Sequence, residues 1–255
     1  GAWQAPRAAR STRTLGARRN IMRILVALFA LMGMSTHIAL AEGQLGEVVV
    51  TGSRVRGDDY SSIPAVSIEK RADFLVQRVR LTNDTRSQDA RRTELYQTIQ
   101  DLLADAGKHP GIALGYGEEF LIPISAKDHE IPLEPGAKRP DTTSTEFYIK
   151  RALKPGDDVA ETLRELRSFI TKARMSGRTE IEPLYDVALS IVDPEKYRYE
   201  IIAQIASDAK KLQTSVGSGC RVDISGLSGR VSWQRSDISQ LTLYIPYEVE
   251  LKDCQ

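Results

Sequence analysis

The segment from Leu184 to Gly226 constrains the fold more than any other part of this chain. Tyr185, Val187, Leu189 and Ile191 alternate with Asp186, Ala188 and Ser190, the period of two expected of a half-buried strand. Asp193 is placed to accept hydrogen bonds from the free amides of a helix start. Pro194 then takes the first helical position, where a missing N–H costs nothing. Tyr197, Ile201, Ile202, Ile205, Ala209, Leu212 and Val216 fall on one helical face, and Gly217 and Gly219 permit the left-handed backbone that ends it. A second strand, Cys220–Ser225, completes the unit. The run carries no recognisable catalytic group, so it defines a scaffold and leaves the molecular activity open.

The rest of the chain extends this pattern. Leu45–Val55 reads as a first strand, and Val66–Thr82 as a long one whose best section, Asp73–Leu81, sets Leu75, Val79 and Leu81 on one face. Asn83, Asp84 and Thr85 are cap candidates for a helix to about Ala106, with Leu95, Ile99, Leu102, Leu103 and Ala106 as its buried stripe and Gly107 at its end. Strands are expected at Ile112–Ile124 and Thr142–Leu153, separated by an exposed Pro-rich, charged loop, Ser125–Pro140. Pro155-Gly156-Asp157 starts another helix, with Val159, Leu163, Leu166, Ile170 and Ala173 facing inward. Strands at Arg230–Gln234 and Gln240–Leu251 close the chain. The order ββαββαβαβββ predicts an α+β fold, a mainly antiparallel sheet with helices packed on one face. The strand–helix–strand units Asp73–Ile124 and Leu184–Ser225 share a layout that suggests internal duplication.

The front end belongs to a different class of segment. Met22-Arg23, the apolar run Ile24–Met34 and the small-x-small triplet Ala39-Leu40-Ala41 match a secretory signal peptide cleaved after Ala41, with residues 1–21 as an upstream extension. The run is shorter than the ~20 residues of a membrane-spanning helix. Residues 42–71 are then expected to form an N-terminal strand and loop, and residues 72–252 the α+β domain. The whole chain has 35 basic and 34 acidic residues; the leader's six arginines and no acids leave 29 against 34, a net charge of −5. A mildly acidic surface argues against nucleic acid as a partner, and no later segment is apolar enough to be expected in a membrane.

An even pair of cysteines, Cys220 and Cys254, reads as a disulfide in an oxidising compartment. The thiols meet only if the strand opened by Cys220 and the strand closed by Cys254 lie antiparallel and adjacent. A simple meander of the last three strands would put them at opposite ends. Pairing within the chain, between chains or not at all therefore stay open.

No catalytic, metal or cofactor site is expected. His109 precedes Pro110 at a helix-to-strand turn, and Asp128, His129 and Glu130 share one polar loop, where adjacent residues rarely converge on an ion. A hydrolase would need His109 or His129 beside a serine and a carboxylate. Gly226-Leu227-Ser228-Gly229 is one residue short of a nucleophile elbow and reads as a hairpin turn. Tyr197, Tyr199, Tyr244 and Tyr247 are candidates for a protein contact, with core packing as the competing reading.

Val187-Ala188-Leu189-Ser190-Ile191-Val192-Asp193-Pro194-Glu195 resembles the strand-to-helix signature of the SIMPL-domain family of bacterial envelope proteins. Ala203, Ala206, Asp208, Ala209, Lys210 and Leu212 are similar to that family's Ala- and Lys-rich helix, and Tyr247–Leu251 to its closing strand. In the first half Ala72-Asp73, the strand to Leu81 and the helix to Ala106-Gly107 extend the resemblance over most of Ala72–Leu251, although Ala72 stands where the family usually has proline. The resemblance implies a periplasmic or outer-membrane-associated, non-enzymatic homo-oligomer, often ring-like, tied to envelope or oxidative stress. Glu47–Arg54 is also similar to the amino-terminal stretch of TonB-dependent receptors. An adaptor docking a TonB-like envelope partner through Val48, Val49, Val50, Thr51 and Gly52 is the alternative.

Overall fold

A computed structural model describes residues 1–2, 46–50, 63–118, 120–136, 139, 141–217 and 219–254. The expected signal peptide lies outside them, as do the upstream extension after residue 2 and Thr51 and Gly52. Residues 44–255 form one compact unit.

Among the described residues the strands are β1 (Glu47–Val50), β2 (Ile68–Arg71), β3 (Phe74–Asn83), β4 (Ile112–Tyr116), β5 (Ile122–Pro123) and β6 (Glu134–Pro135). They continue with β7 (Thr143–Ala152), β8 (Thr179–Val192), β9 (Arg221–Ser225), β10 (Ser232–Arg235), β11 (Gln240–Tyr244) and β12 (Glu248–Lys252). The helices are α1 (Gln88–Ala106), α2 (Val159–Thr171) and α3 (Arg198–Val216), the last preceded by a 3-10 turn at Pro194–Tyr197. The fold is α+β, with all described strand pairs antiparallel.

The principal sheet runs β1-β8-β3-β7-β4-β5, with β6 on the end of β7. It curls until its edges touch: the Leu121 N–H, just before β5, donates to the Glu47 carbonyl of β1 at 2.8 Å. A three-stranded sheet, β10-β11-β2, and a two-stranded ribbon, β12-β9, complete the molecule. Alternation along β3 fills both faces of the curl. Leu75, Val79 and Leu81 join Phe147 and Ile149 of β7 under the helical stripes Leu95, Ile99 and Leu102 of α1 and Leu166 and Ile170 of α2. Val76 points the other way, to a smaller cluster with Leu121, Tyr148 and Ala188. Each fully buried side chain of this kind contributes about 1.5–3 kcal/mol relative to exposure.

Several expected elements are redrawn. Val66–Thr82 is two strands, because at Ala72-Asp73 the chain changes sheets. The Ala72 N–H donates to Ser239 and the Asp73 N–H to Ser190, both at 2.9 Å, while the Asp73 carboxylate accepts the Val192 N–H at 2.8 Å. Gln240–Leu251 likewise splits into β11 and β12 around Pro246, which has no N–H for a ladder. Ile112–Ile124 folds back at Gly117, whose φ of 129° no side-chain-bearing residue adopts easily, so that β5 pairs with β4. Ser125–Pro140 is more than an exposed loop: Ile131 is buried, its carbonyl accepts the Tyr96 hydroxyl at 3.0 Å, and β6 pairs with β7.

Helix starts also differ. α1 is capped by Ser87, whose hydroxyl accepts the Ala90 N–H, while Asn83 ends β3 and turns inward. Asp193 has a left-handed backbone (φ 49°) and makes no side-chain cap; that geometry does not aim the carboxylate at the helix amides as an extended cap residue does. Its own N–H instead donates to Gly46 at 2.9 Å. β8 begins at Thr179, and a bulge opposite Val76–Arg78 breaks the expected alternation, leaving Tyr185 exposed with φ 58°. The stripe of α3 is buried at Ile201 and Ile205 but emerges at Val216.

The Gly226–Gly229 turn is closed by the Gly229 N–H on the Gly226 carbonyl, yet it links strands of different sheets and is no hairpin. Nor do the two strand–helix–strand units repeat one another. β3 and β4 flank β7 in one sheet, whereas β8 and β9 belong to different sheets.

Candidate assembly surface

The ribbon meets the condition set by the cysteines. β9 and β12 are adjacent and antiparallel, Lys252 opposite Arg221 and Glu248 opposite Ser225, and Cys220 and Cys254 form a disulfide at the end of that register. Period-two alternation gives the ribbon two unlike faces. Arg221, Asp223, Glu250 and Lys252 share one, where Lys252 pairs with Asp223 at 3.0 Å and with Glu250 at 3.1 Å, and Arg221 with Asp223 at 3.1 Å. The Lys252 ammonium, with Arg221 behind it, holds the Asp223 carboxyl below its usual range, and the carboxylates of Asp223 and Glu250 raise Lys252. On the other face lie Val222, Ile224, Val249 and Leu251. Ile224 packs on the core, whereas Val249 and Leu251 are 38 % and 44 % exposed.

A second apolar feature opens beside the curl. Gly46, Val48, Phe120, Ile122, Pro194, Trp233 and Tyr244 line a cleft of about 1110 Å³. Phe120 and Ile122 are 42 % and 41 % exposed at its rim. Phe120 lies against Gly46, where an added Cβ would come within 3.1 Å of the ring. The Asp193-Pro194-Glu195 motif builds one wall. Pro194 is buried, and Glu195 accepts the Val231 N–H at 2.9 Å and pairs with Arg198 at 3.1 Å. Arg198 in turn donates to the carbonyls of Leu227 (2.6 Å) and Gly229 (2.7 Å). The motif thus clamps the turn at 226–229 to the start of α3, a job its sequence pattern did not announce.

β1 is bound within the chain. Val48 and Val50 are buried in the main core, and Val49 packs on the smaller cluster. Glu47 points inside the curl, where its carboxylate accepts the Ser190 hydroxyl at 2.6 Å and pairs with the Lys150 ammonium; all three side chains are buried. Lys150 also lies over the Phe74 ring, 4.2 Å from its centroid.

The tyrosines divide among different settings. Tyr197 and Tyr247 pack partly against the core, and Tyr197 carries the ammonium groups of Lys70 and Lys196 near its ring. Burial pushes the Tyr247 phenol up, partly offset by a hydrogen bond with the Val66 backbone. Tyr244 lines the cleft, and Tyr199 stands exposed on α3.

The histidines have local partners. His109 Nδ1 lies 2.8 Å from the Asp105 carbonyl, and the ring sits edge-on to Phe169. His129 Nε2 is 3.0 Å from the Gln100 amide, with the ring edge-on to Tyr96, while Glu130 faces Arg92 and the Asp128 N–H donates to Ser125. No group of three potential metal ligands gathers among the described residues. None of their helices is long and apolar enough to cross a membrane.

One polar cluster outside the surface fixes the frame that carries it. Glu94 of α1 accepts the Arg178 N–H (3.0 Å), the Asn83 amide (2.7 Å) and the Thr85 hydroxyl (2.7 Å), joining α1 to the ends of β3 and β8. These bonds, the Arg178 backbone one foremost, lower the Glu94 carboxyl below its ordinary value. A depressed carboxylate adds stability that is present above its unfolded pKa, ordinarily about 4.3, and is lost as pH falls through the lower folded value. Glu94→Gln is therefore expected to lower neutral-pH stability by about 1–3 kcal/mol. In urea titrations the gap between variant and wild type should close as pH drops below that range; a gap that does not change with pH would refute the assignment.

No family model matches this chain, and no curated protein does.

Proposed function

We propose that this chain is a secreted, non-enzymatic scaffold of the SIMPL kind. It works in the periplasm or at the outer membrane by assembling with copies of itself, in support of envelope or oxidative-stress defence. The observation that carries the reading is the ribbon, whose β12 is paired by β9 alone among the described residues, with Val249 and Leu251 exposed and the Cys220–Cys254 disulfide as its staple. Unpaired strand edges and exposed apolar strips are association surfaces unless something blunts them. A disulfide and a signal-like leader fit an oxidising compartment. In this role Asp193-Pro194-Glu195 contributes rigidity, because it holds the cleft wall and the root of the ribbon together. Sedimentation velocity on the chain from residue 42 onward tests the reading. The expected boundary moves faster than a protomer and shifts with concentration if assembly is reversible. A single protomer-sized species across the concentration range would overturn it.

A further inference from the structure

The ribbon and the cleft are two unlike apolar surfaces on one molecule, and their details match. Among the described residues β12 is paired on one side only, by β9, and β10 on one side only, by β11, which leaves each an edge for a further strand. The two strands have five and four residues. β10 carries Trp233 into the cleft, where Phe120 and Ile122 stand exposed, and β12 presents Val249 and Leu251 on one side of its pleat. Charge sets the direction. Arg230, at the approach to β10, and Glu248, at the start of β12, are exposed and have no ion-pair partner among the described residues.

Building on the assembly reading, we propose that the ribbon of one copy adds as a strand to β10 of the next, seating Val249 and Leu251 against Phe120, Ile122 and Trp233. The added strand runs parallel to β10, which brings Glu248 beside Arg230; the antiparallel alternative would put Lys252 there, like charge against like. Donor and acceptor are different surfaces, so the contact is head-to-tail. Repetition closes a ring or extends a filament. The disulfide holds β12 in register on β9 and so keeps the donor strand extended.

Complementation between two defective variants tests this. Val249→Asp with Leu251→Asp spoils the donor, and Phe120→Asp with Ile122→Asp spoils the acceptor. All four residues are partly exposed, and unfolding curves verify that each variant still folds. Each variant alone is expected to be protomer-sized, with self-association weakened at least roughly tenfold. Mixed in equal amounts, the two should form a discrete 1:1 dimer, because one good donor and one good acceptor remain. Arg230→Glu and Glu248→Arg should each weaken wild-type assembly, and the double swap should restore it. Variants that assemble like wild type, or a mixture that stays protomeric, would overturn this contact while leaving self-assembly standing. A protomeric wild type would remove the assembly reading itself, and this contact with it.

Discussion

Lys150→Met should cost the folded chain about 3–5 kcal/mol, the expected penalty for breaking a buried ion pair from one side. The Glu47 carboxylate would stay inside the curl, beside Val76, Leu121 and Tyr148, with the Ser190 hydroxyl as its remaining partner. Because Glu47 opens β1 and its carbonyl bridges to Leu121, the stranded charge acts where the two sheet edges meet. The effect should appear as a lower urea midpoint at unchanged slope. Adding Glu47→Gln removes the orphan charge and keeps an acceptor for Ser190, so the double variant should recover at least about half of the loss through a coupling of roughly 2 kcal/mol. A single-variant loss below about 1 kcal/mol would show instead that the pair behaves as a solvated surface bridge.

Replacing both cysteines by serine should cost about 3–4 kcal/mol, the loop-entropy value for a sequence separation of 34 residues. The location of the damage is as diagnostic as its size. The main core packs α1 and α2 against the principal sheet, and the ribbon touches it at its margin through Ile224 of β9. Amide exchange should therefore rise most on β9 and β12, and little on β3 and β7. Uniform acceleration would mean that the bond stabilises the whole unit, and no acceleration that it is dispensable even for the ribbon.

The class of the fold was legible because it rests on periodicity. The stripes of α1 and α2 and the alternation of β3 are repeated signals, and each landed on the core. The disulfide was legible only as a condition, since strand pairing decides whether Cys220 reaches Cys254. Strand breaks divide in two. Pro246 was a visible signal in a run that otherwise alternates, whereas Ala72-Asp73 changes sheets through contacts with Ser239, Ser190 and Val192, which are remote in sequence.

Glu47 shows the same limit more sharply. It reads as the polar residue ahead of three valines, yet its partner Lys150 lies 103 residues away. A lysine amid the apolar residues of β7 was the one hint. The cleft had no linear signature, because Phe120, Pro194 and Trp233 come from three separate stretches of chain. The four tyrosines singled out by type divide between core and surface, since residue type alone does not say which side of an element faces out.

Self-assembly through an open, disulfide-held strand edge is the claim on which the functional reading stands. Static light scattering on the chain from residue 42 onward, with and without reductant, tests it most directly. The account predicts a mass that is a whole multiple of the protomer's without reductant. With the disulfide reduced and the ribbon loosened, the mass should fall toward one protomer. A protomer mass in both conditions would contradict it.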